Sequence, residues 1–155
     1  MQILNLKDEP QHIPKLAEWH HHEWLSLNPG STLDKRIAKM QAYLGDELIP
    51  STFIAKHTQL LGSAAIIDND MESRPDLGPW LASVFVAPEY RNQGIGSQLV
   101  MHVMQTAKQA GIDRLYLFTP DRVGFYERLG WQTLTQLDYR RYTVTVMYVK
   151  LNADV

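Results

Sequence analysis

One change of hydrophobic period constrains this chain more than any other feature in it. Residues Trp80-Leu-Ala-Ser-Val-Phe-Val86 are apolar except for Ser83 and hold β-formers, the pattern of a strand buried on both faces. Ala87-Pro88-Glu89 interrupts that pattern, because Pro88 supplies no backbone N–H and forces Ala87 into extended backbone. From Ile95 the period turns helical: Ile95, Leu99, Val103, Ala107 and Ala110 share one face, and Gly111 supplies a C-terminal stop. Arg91, Gly94 and Gly96 stand at the helix entrance. A strand–loop–helix corner of this kind aims free backbone N–H groups and the positive end of a helix dipole at one point, which suits a phosphate. The dipole contributes only ~0.3–1 kcal/mol per nearby surface charge, so the amide cluster and Arg91 must carry most of the anion binding.

Two familiar phosphate loops fail here. No G-x-x-x-x-G-K-[ST] run occurs, which excludes a Walker loop. The dinucleotide fingerprint G-x-G-x-x-G loses its third glycine, because Gly94-Ile-Gly96-Ser-Gln leads to Leu99. Composition narrows the field further. The 155 residues suit one domain over 1–155, large enough to bury about two-thirds of its surface. With 45% hydrophobic and 21% charged residues the chain reads as globular. A formal net charge of −2 gives no reason to expect nucleic acid or an anionic membrane as partner. The absence of cysteine excludes disulfides, zinc thiolate sites and a thiol nucleophile. The start, Met-Gln-Ile-Leu-Asn-Leu-Lys-Asp, lacks the basic flank and apolar core of a signal peptide. No run approaches the ~20 apolar residues of a membrane span, so the expected location is the cytoplasm.

Residues 2–6 read as a short strand. Asp8 or a neighbour opens a helix in which Pro10 and Pro14 must lie near the first turn, with Ile13, Leu16, Ala17, His20 and Trp24 on one face. Leu27-Asn-Pro-Gly30 is a turn. Ser31 or Thr32 caps a second helix whose Leu33, Ile37, Met40 and Leu44 form the buried stripe, closed by Gly45. Residues 51–56 and 59–68 form a hairpin, and 68–79 a polar, proline-bearing loop. Beyond the long helix come a strand over 115–119, a short helix over 123–129 and strands over 131–137 and 142–151. The order β-α-α-β-β-β-α-β-α-β-β implies an α/β fold built on a mixed, mostly antiparallel sheet with helices on both faces.

The run Val86-Ala-Pro88-Glu-Tyr90-Arg91-Asn-Gln-Gly94-Ile-Gly96 fits [Q/R]-x-x-G-x-[G/A] behind a Val-x-Pro-x-Tyr lead-in. It resembles the acetyl-CoA-binding motif of the GNAT superfamily of N-acetyltransferases. A second run, Phe125-Tyr126-Glu127-Arg128-Leu129-Gly130-Trp131, is similar to the F-Y-E-x-L-G-F segment of many members. The element order also matches, so the resemblance covers nearly the whole chain. It implies the GNAT (acyl-CoA N-acyltransferase) fold, in which the central strand and the next one splay apart around the pantetheine arm. It implies acetyl-CoA as co-substrate, no metal, and a binding site at Phe85, Val86, Arg91, Asn92, Gln93, Gly94, Ile95, Gly96 and Ser97, joined by Thr119 and Tyr126. The implied reaction is direct attack of a primary amine on the thioester in a ternary complex. Tyr126 aligns with the tyrosine proposed to protonate the departing thiolate; a phenol of pKa ~10 is a neutral donor at pH 7 beside a thiol of ~8.5. Thr119 and Arg122 depart from the family's usual Asn and Ala. Thr119 keeps a hydroxyl for CoA, and Arg122 either reaches a phosphate or faces solvent.

A backbone N–H near Phe85 or Val86, left unpaired by the splay, is the expected oxyanion donor. The amine, with a pKa of ~10.4, must also lose a proton. Some relatives place a carboxylate for this at the start of the central strand, where this chain has Trp80 and Leu81. The base then falls to Glu23, Asp68, Asp70 or Glu72, with Glu23 and Asp70 preferred. His20, His21 and His22 point ~100° apart on a helix and cannot converge on one ion. His20 reads as a core or pocket-lining histidine, with a base as the alternative. Trp19, Trp24, Tyr43 and Trp80 are core residues or a frame for a cationic amine. The acidity of residues 68–76 leans towards a small cationic acceptor, with a protein amine or a non-catalytic acyl-CoA sensor as alternatives. The last strand or a helix face is where a homodimer would pair.

Overall fold

The structure is a computed structural model and describes residues 1–152. Its elements follow the expected order: β1 (Gln2–Asn5), α1 (Ile13–Trp24), α2 (Leu33–Ala42), β2 (Ser51–Lys56), β3 (Leu60–Ile67), β4 (Trp80–Val86), α3 (Ile95–Gln109), β5 (Arg114–Thr119), α4 (Val123–Glu127), β6 (Gln132–Tyr139) and β7 (Tyr142–Lys150). The strands form one seven-stranded sheet in the order β1-β2-β3-β4-β5-β7-β6. Every neighbouring pair is antiparallel except β4 and β5.

Strand alternation sorts the core onto two faces. Phe53, Ala55, Ala64 and Ile66 pack under α3, whose Leu99, Val100, Val103 and Ala107 are fully buried. Ile54 and Leu60 point the other way and meet Leu16 and Ala17 of α1 and Met40 of α2. All eight residues of β3 are buried, as a strand covered on both faces requires.

Three expectations need amending. The first helix begins at Ile13 rather than near Asp8, because Pro10 breaks the segment into two short 3-10 turns, Leu6–Asp8 and Pro10–His12. Pro14 then falls in the first turn, where a missing N–H leaves no bond unmade. Thr32 does cap α2, its hydroxyl accepting from the Lys35 amide at 3.2 Å. Leu33, however, is 39% exposed against 1% for Met40. It stands two turns, ~10 Å, along the axis from Met40 and beyond the packed patch. The helix also ends at Ala42 with Tyr43 as its cap, ahead of Gly45.

The sheet opens beside β4. Strands β4 and β5 pair only at Trp80 and Tyr116, where the Tyr116 amide donates to the Pro79 carbonyl at 3.0 Å, and then diverge. On its other edge β4 carries a bulge. Ala82 faces Ala65 and Phe85 faces Ser63, so β4 advances three residues while β3 advances two. Ser83 takes the extra step with φ 54°. Beyond it the Ala87 amide donates to the Leu61 carbonyl at 2.9 Å. Counting back by alternation, Phe85 and Ala87 turn their amides towards β3, and Val84 and Val86 turn theirs into the gap. The free amide expected near Phe85 or Val86 therefore belongs to Val86 and Val84, and not to Phe85. Among the described residues, no helix is long and apolar enough to cross a membrane.

Urea unfolding should separate the two faces of α2. Met40→Ala should cost about 2–5 kcal/mol, whereas Leu33→Ala should stay within about 0.5 kcal/mol. Equal losses would contradict the packing described.

Candidate active site in the parted sheet

A cleft of about 1130 Å³ fills the gap between β4 and β5 and runs to the N-terminus of α3. Gly94 is the N-cap of α3, at φ 81° and with no side chain capping the helix. Asn92 before it is also left-handed, at φ 64°. The first bond into the helix is from Gln98 to the Gly94 carbonyl at 3.1 Å. Among the described residues, the six amides from Asn92 to Ser97 donate to no protein acceptor. Such a run of uncommitted donors fits a pyrophosphate, which spreads its charge over several oxygens. Arg91 lines the same cleft but is engaged elsewhere. Its Nε donates to the Val86 carbonyl at 2.8 Å, and its guanidinium lies 5.5 Å from the Phe85 ring and 3.8 Å from Glu23. Of the anion site expected of Arg91 and the amides together, the amides are uncommitted and Arg91 is engaged with Val86 and Glu23.

Tyr126 enters from α4 and is 9% exposed, edge-on to Phe125 at 4.9 Å and to Trp131 at 6.1 Å. Burial pushes its phenol up to about 12. Thr119 lines the same cleft, but its Oγ1 accepts from the Arg122 amide at 3.0 Å and caps the turn into α4. Only its O–H remains for a ligand. The Arg122 side chain is 67% exposed and lies 3.9 Å from Asp121, so it takes the solvent-facing alternative.

The four candidate carboxylates separate by environment. Asp68 is exposed. Glu72 accepts from the Tyr139 hydroxyl and from Arg140 at 2.6 Å, and these bonds hold it down at about 2. Glu23 sits at the cleft rim beside Arg91, its side chain 44% exposed. Asp70 lines the cleft, and withdrawal from water raises its pKa to about 7 against the opposing pull of Lys39 and Arg36.

His20 is 1% exposed and its hydrogen bonds fix its tautomer. The Ser63 hydroxyl donates its one proton to the Ser83 carbonyl at 3.0 Å. The His20 Nε2–H must therefore donate to Ser63 Oγ at 2.8 Å, leaving Nδ1 to accept from Arg36 Nη2 at 2.6 Å. Burial, aided by the Arg36 charge, holds its pKa well below 6.5. With both nitrogens engaged His20 is not the base. His21 reaches the cleft and His22 is exposed, so the three do diverge. Trp80 is fully buried core, whereas Trp24 borders the cleft. Arg36, Ser63 and Ser83 leave one trace in the sequence, the single polar residue in the β4 run.

A profile described as "Acetyltransferase (GNAT) family" matches residues 13–131. Over 98 residues the chain is 30% identical to an amino-acid acetyltransferase of Aeromonas salmonicida (strain A449), which covers 63% of this chain and 21% of that protein. The chain thus spans about a fifth of that relative's length. Its fold matches the ribosomal-protein-alanine N-acetyltransferase of Brucella melitensis with a TM-score of 0.78, 16% identity and coverage of 97% and 99% of the two chains. It matches the spermidine N-acetyltransferase of Vibrio cholerae, solved with CoA and spermine, with a TM-score of 0.74, 17% identity and coverage of 97% and 95%. At those identities the structural likeness is one of fold.

Nitrogen-15 NMR of the imidazoles tests the tautomer. His20 should keep the shifts of a neutral ring protonated at Nε2 while the pH falls through the range in which an unperturbed histidine, of pKa ~6.5, titrates. A His20 midpoint close to that value would contradict the network.

Proposed function

The chain belongs to the GNAT family of acetyltransferases, and from that premise we propose that it transfers the acetyl group of acetyl-CoA to a primary amine of a small molecule by direct attack in a ternary complex. The observation that carries this reading is one cleft that joins an uncommitted amide cradle, a phenol that keeps its proton and a carboxyl poised near neutrality. The amides of Asn92–Ser97 hold the pyrophosphate. The Val84 and Val86 amides face the thioester and stabilise the charge that develops on its carbonyl oxygen. Holding both reactants in the cleft makes their encounter effectively intramolecular.

Asp70 takes the proton from the ammonium. Glu72, held at about 2, is too weak a base, and Glu23 is turned to Arg91. The neighbouring Arg36 and Lys39 charges also disfavour an ammonium, so they help it release that proton. As the nitrogen–carbon bond forms, the carbon–sulfur bond breaks beside Tyr126, and the proton the nitrogen sheds in becoming an amide ends on the departing sulfur. Full proton transfer from a phenol near 12 to a thiol of ~8.5 is uphill by about 5 kcal/mol. Tyr126 therefore works chiefly as a hydrogen-bond donor to the departing sulfur.

Charge in the cleft favours a second reading of the acceptor. Of the acids in the 68–76 loop, Glu72 is neutralised by Arg140 and Asp76 by Arg74 at 2.8 Å. Lys35, Arg36 and Lys39 line the same cleft, and no carboxylate lies within salt-bridge reach of them among the described residues. An amine that also carries an anionic group, such as an amino acid, fits that balance better than a polycation.

Acetyl-CoA should raise the melting temperature, since a ligand that binds only the folded state at 100 times its Kd adds ~2.7 kcal/mol; no shift at millimolar ligand would end the CoA reading. Thiol release across amino acids, polyamines, aminoglycosides and peptide amines then identifies the acceptor, and silence across the panel would leave a CoA-binding sensor. Tyr126→Phe should lower kcat roughly 10²-fold with little change in CoA affinity. Wild-type turnover should climb as pH rises through about 7, where Asp70 ionises, and Asp70→Asn should lose both that rise and most activity. A carboxyl whose pKa is raised by folding binds its extra proton only in the native state, so its stability contribution falls as pH rises towards 7. Asp70→Asn should accordingly melt higher than wild type near pH 8, and a lower melting point would contradict the assignment.

A further inference from the structure

We propose that Arg36 is a positioning residue: from α2 it holds Ser83 in left-handed backbone and so sets which amides of β4 face the cleft. The inference rests on the transfer reading above for its consequence, but the restraint itself is geometric. Ser83 at φ 54° occupies a region that side-chain-bearing residues seldom adopt, so something must hold it there. A closed ring of hydrogen bonds does so. Arg36 Nη2 donates to Ser83 Oγ at 3.0 Å and to His20 Nδ1 at 2.6 Å. His20 Nε2 donates to Ser63 Oγ at 2.8 Å, and Ser63 Oγ returns to the Ser83 carbonyl at 3.0 Å. Both the hydroxyl and the carbonyl of Ser83 are thus fixed, from α1, α2 and β3 at once.

Two further features point the same way. Arg36 Nε is buried without a partner, so the guanidinium is placed for its Nη2 contacts rather than for its own full satisfaction. On the facing strand, a Cβ at Gly62 would run into the Phe85 carbonyl, so β3 is cut away where the bulged strand comes close. The extra residue at the bulge reverses the alternation of everything after it. Without it the Val84 and Val86 amides would turn to β3, and the Phe85 amide would face the thioester from one position further back. A lysine supplies a single charged nitrogen on a flexible stem and cannot reproduce the fixed guanidinium plane that serves Ser83 and His20 together.

Arg36→Met, Arg36→Lys and Ser83→Ala test this, with acetyl-CoA and the accepted amine as substrates. Arg36→Met should lower kcat roughly 10–100-fold, the order expected of a misplaced reacting group, while the CoA dissociation constant stays within about twofold; any rise in the acceptor KM comes on top of that loss, since Arg36 is one of the cations lining the cleft. Arg36→Lys should recover part of the loss. Ser83→Ala should reproduce it, and the double variant should lose little more than either single one. An unchanged kcat with only a lower melting temperature, a rise confined to the acceptor KM, or losses that multiply would each overturn the proposal. The restraint is also read without turnover, from NMR backbone shifts at Ser83 in Arg36→Met, or in Arg36→Lys should the first fold poorly. Ser83 should leave the left-handed region, and a retained positive φ overturns the proposal whatever the enzyme does. A wild-type protein that transfers nothing to any amine sinks the transfer reading instead and leaves the Ser83 result standing on its own.

Discussion

Two parallel strands that touch at one residue pair and then separate govern the rest of this molecule. Inside a sheet each backbone amide and carbonyl is expected to find a partner, and leaving them unpaired away from water is costly. Beyond Trp80 and Tyr116 that rule lapses along the inner edges of β4 and β5. The Val86 carbonyl is met by Arg91, but the Val84 and Val86 amides stay uncommitted, and the N-terminus of α3 adds six more. So many free donors around one cleft make it a receptor for a long, acceptor-rich ligand. The apolar layer under α3 takes in Leu81 of β4 and Leu115 and Leu117 of β5, and a second cluster packs Trp80 and Ala82 of β4 with Tyr116 and Phe118 of β5, so both flanking strands are held in two separate apolar clusters.

Chemistry within the gap is divided by desolvation and pairing. Glu72 is held ionised by Tyr139 and Arg140, whereas Asp70 is pushed towards neutrality by loss of water. Tyr126 is pushed the other way along the scale, its proton held more firmly than in solution. Groups whose pKa values are driven apart in one cavity are those to which acid and base roles fall. His20, which looks chemically eligible, is removed from that set by its hydrogen bonds and becomes part of the scaffold behind β4.

Much of this was written in local pattern. The apolar run into a helical period gave β4 and α3, the loop between them does carry uncommitted amides, and Tyr126 does reach the cleft. What escaped depends on register and on side-chain direction, which no local period encodes. A single extra residue in a strand apolar but for Ser83 leaves the hydrophobic pattern intact, so the period did not reveal the bulge at Ser83, nor with it the exchange of Phe85 for Val84 among the free amides. Arg91 turns back onto Val86 and Thr119 caps the α4 turn because those acceptors and donors lie within reach only once the chain is folded. Leu33 had the right spacing but stands past the end of the surface it was expected to cover.

Amide hydrogen exchange, followed residue by residue with and without acetyl-CoA, tests the parted sheet most directly. Unliganded protein should exchange fast at Val84, Val86 and from Asn92 to Ser97, and slowly at Phe85 and Ala87, which face β3. Acetyl-CoA should slow the first set and leave the second unchanged. Protection already present at Val84 and Val86 in the free protein, or gained on binding at some other part of the chain, would contradict the arrangement.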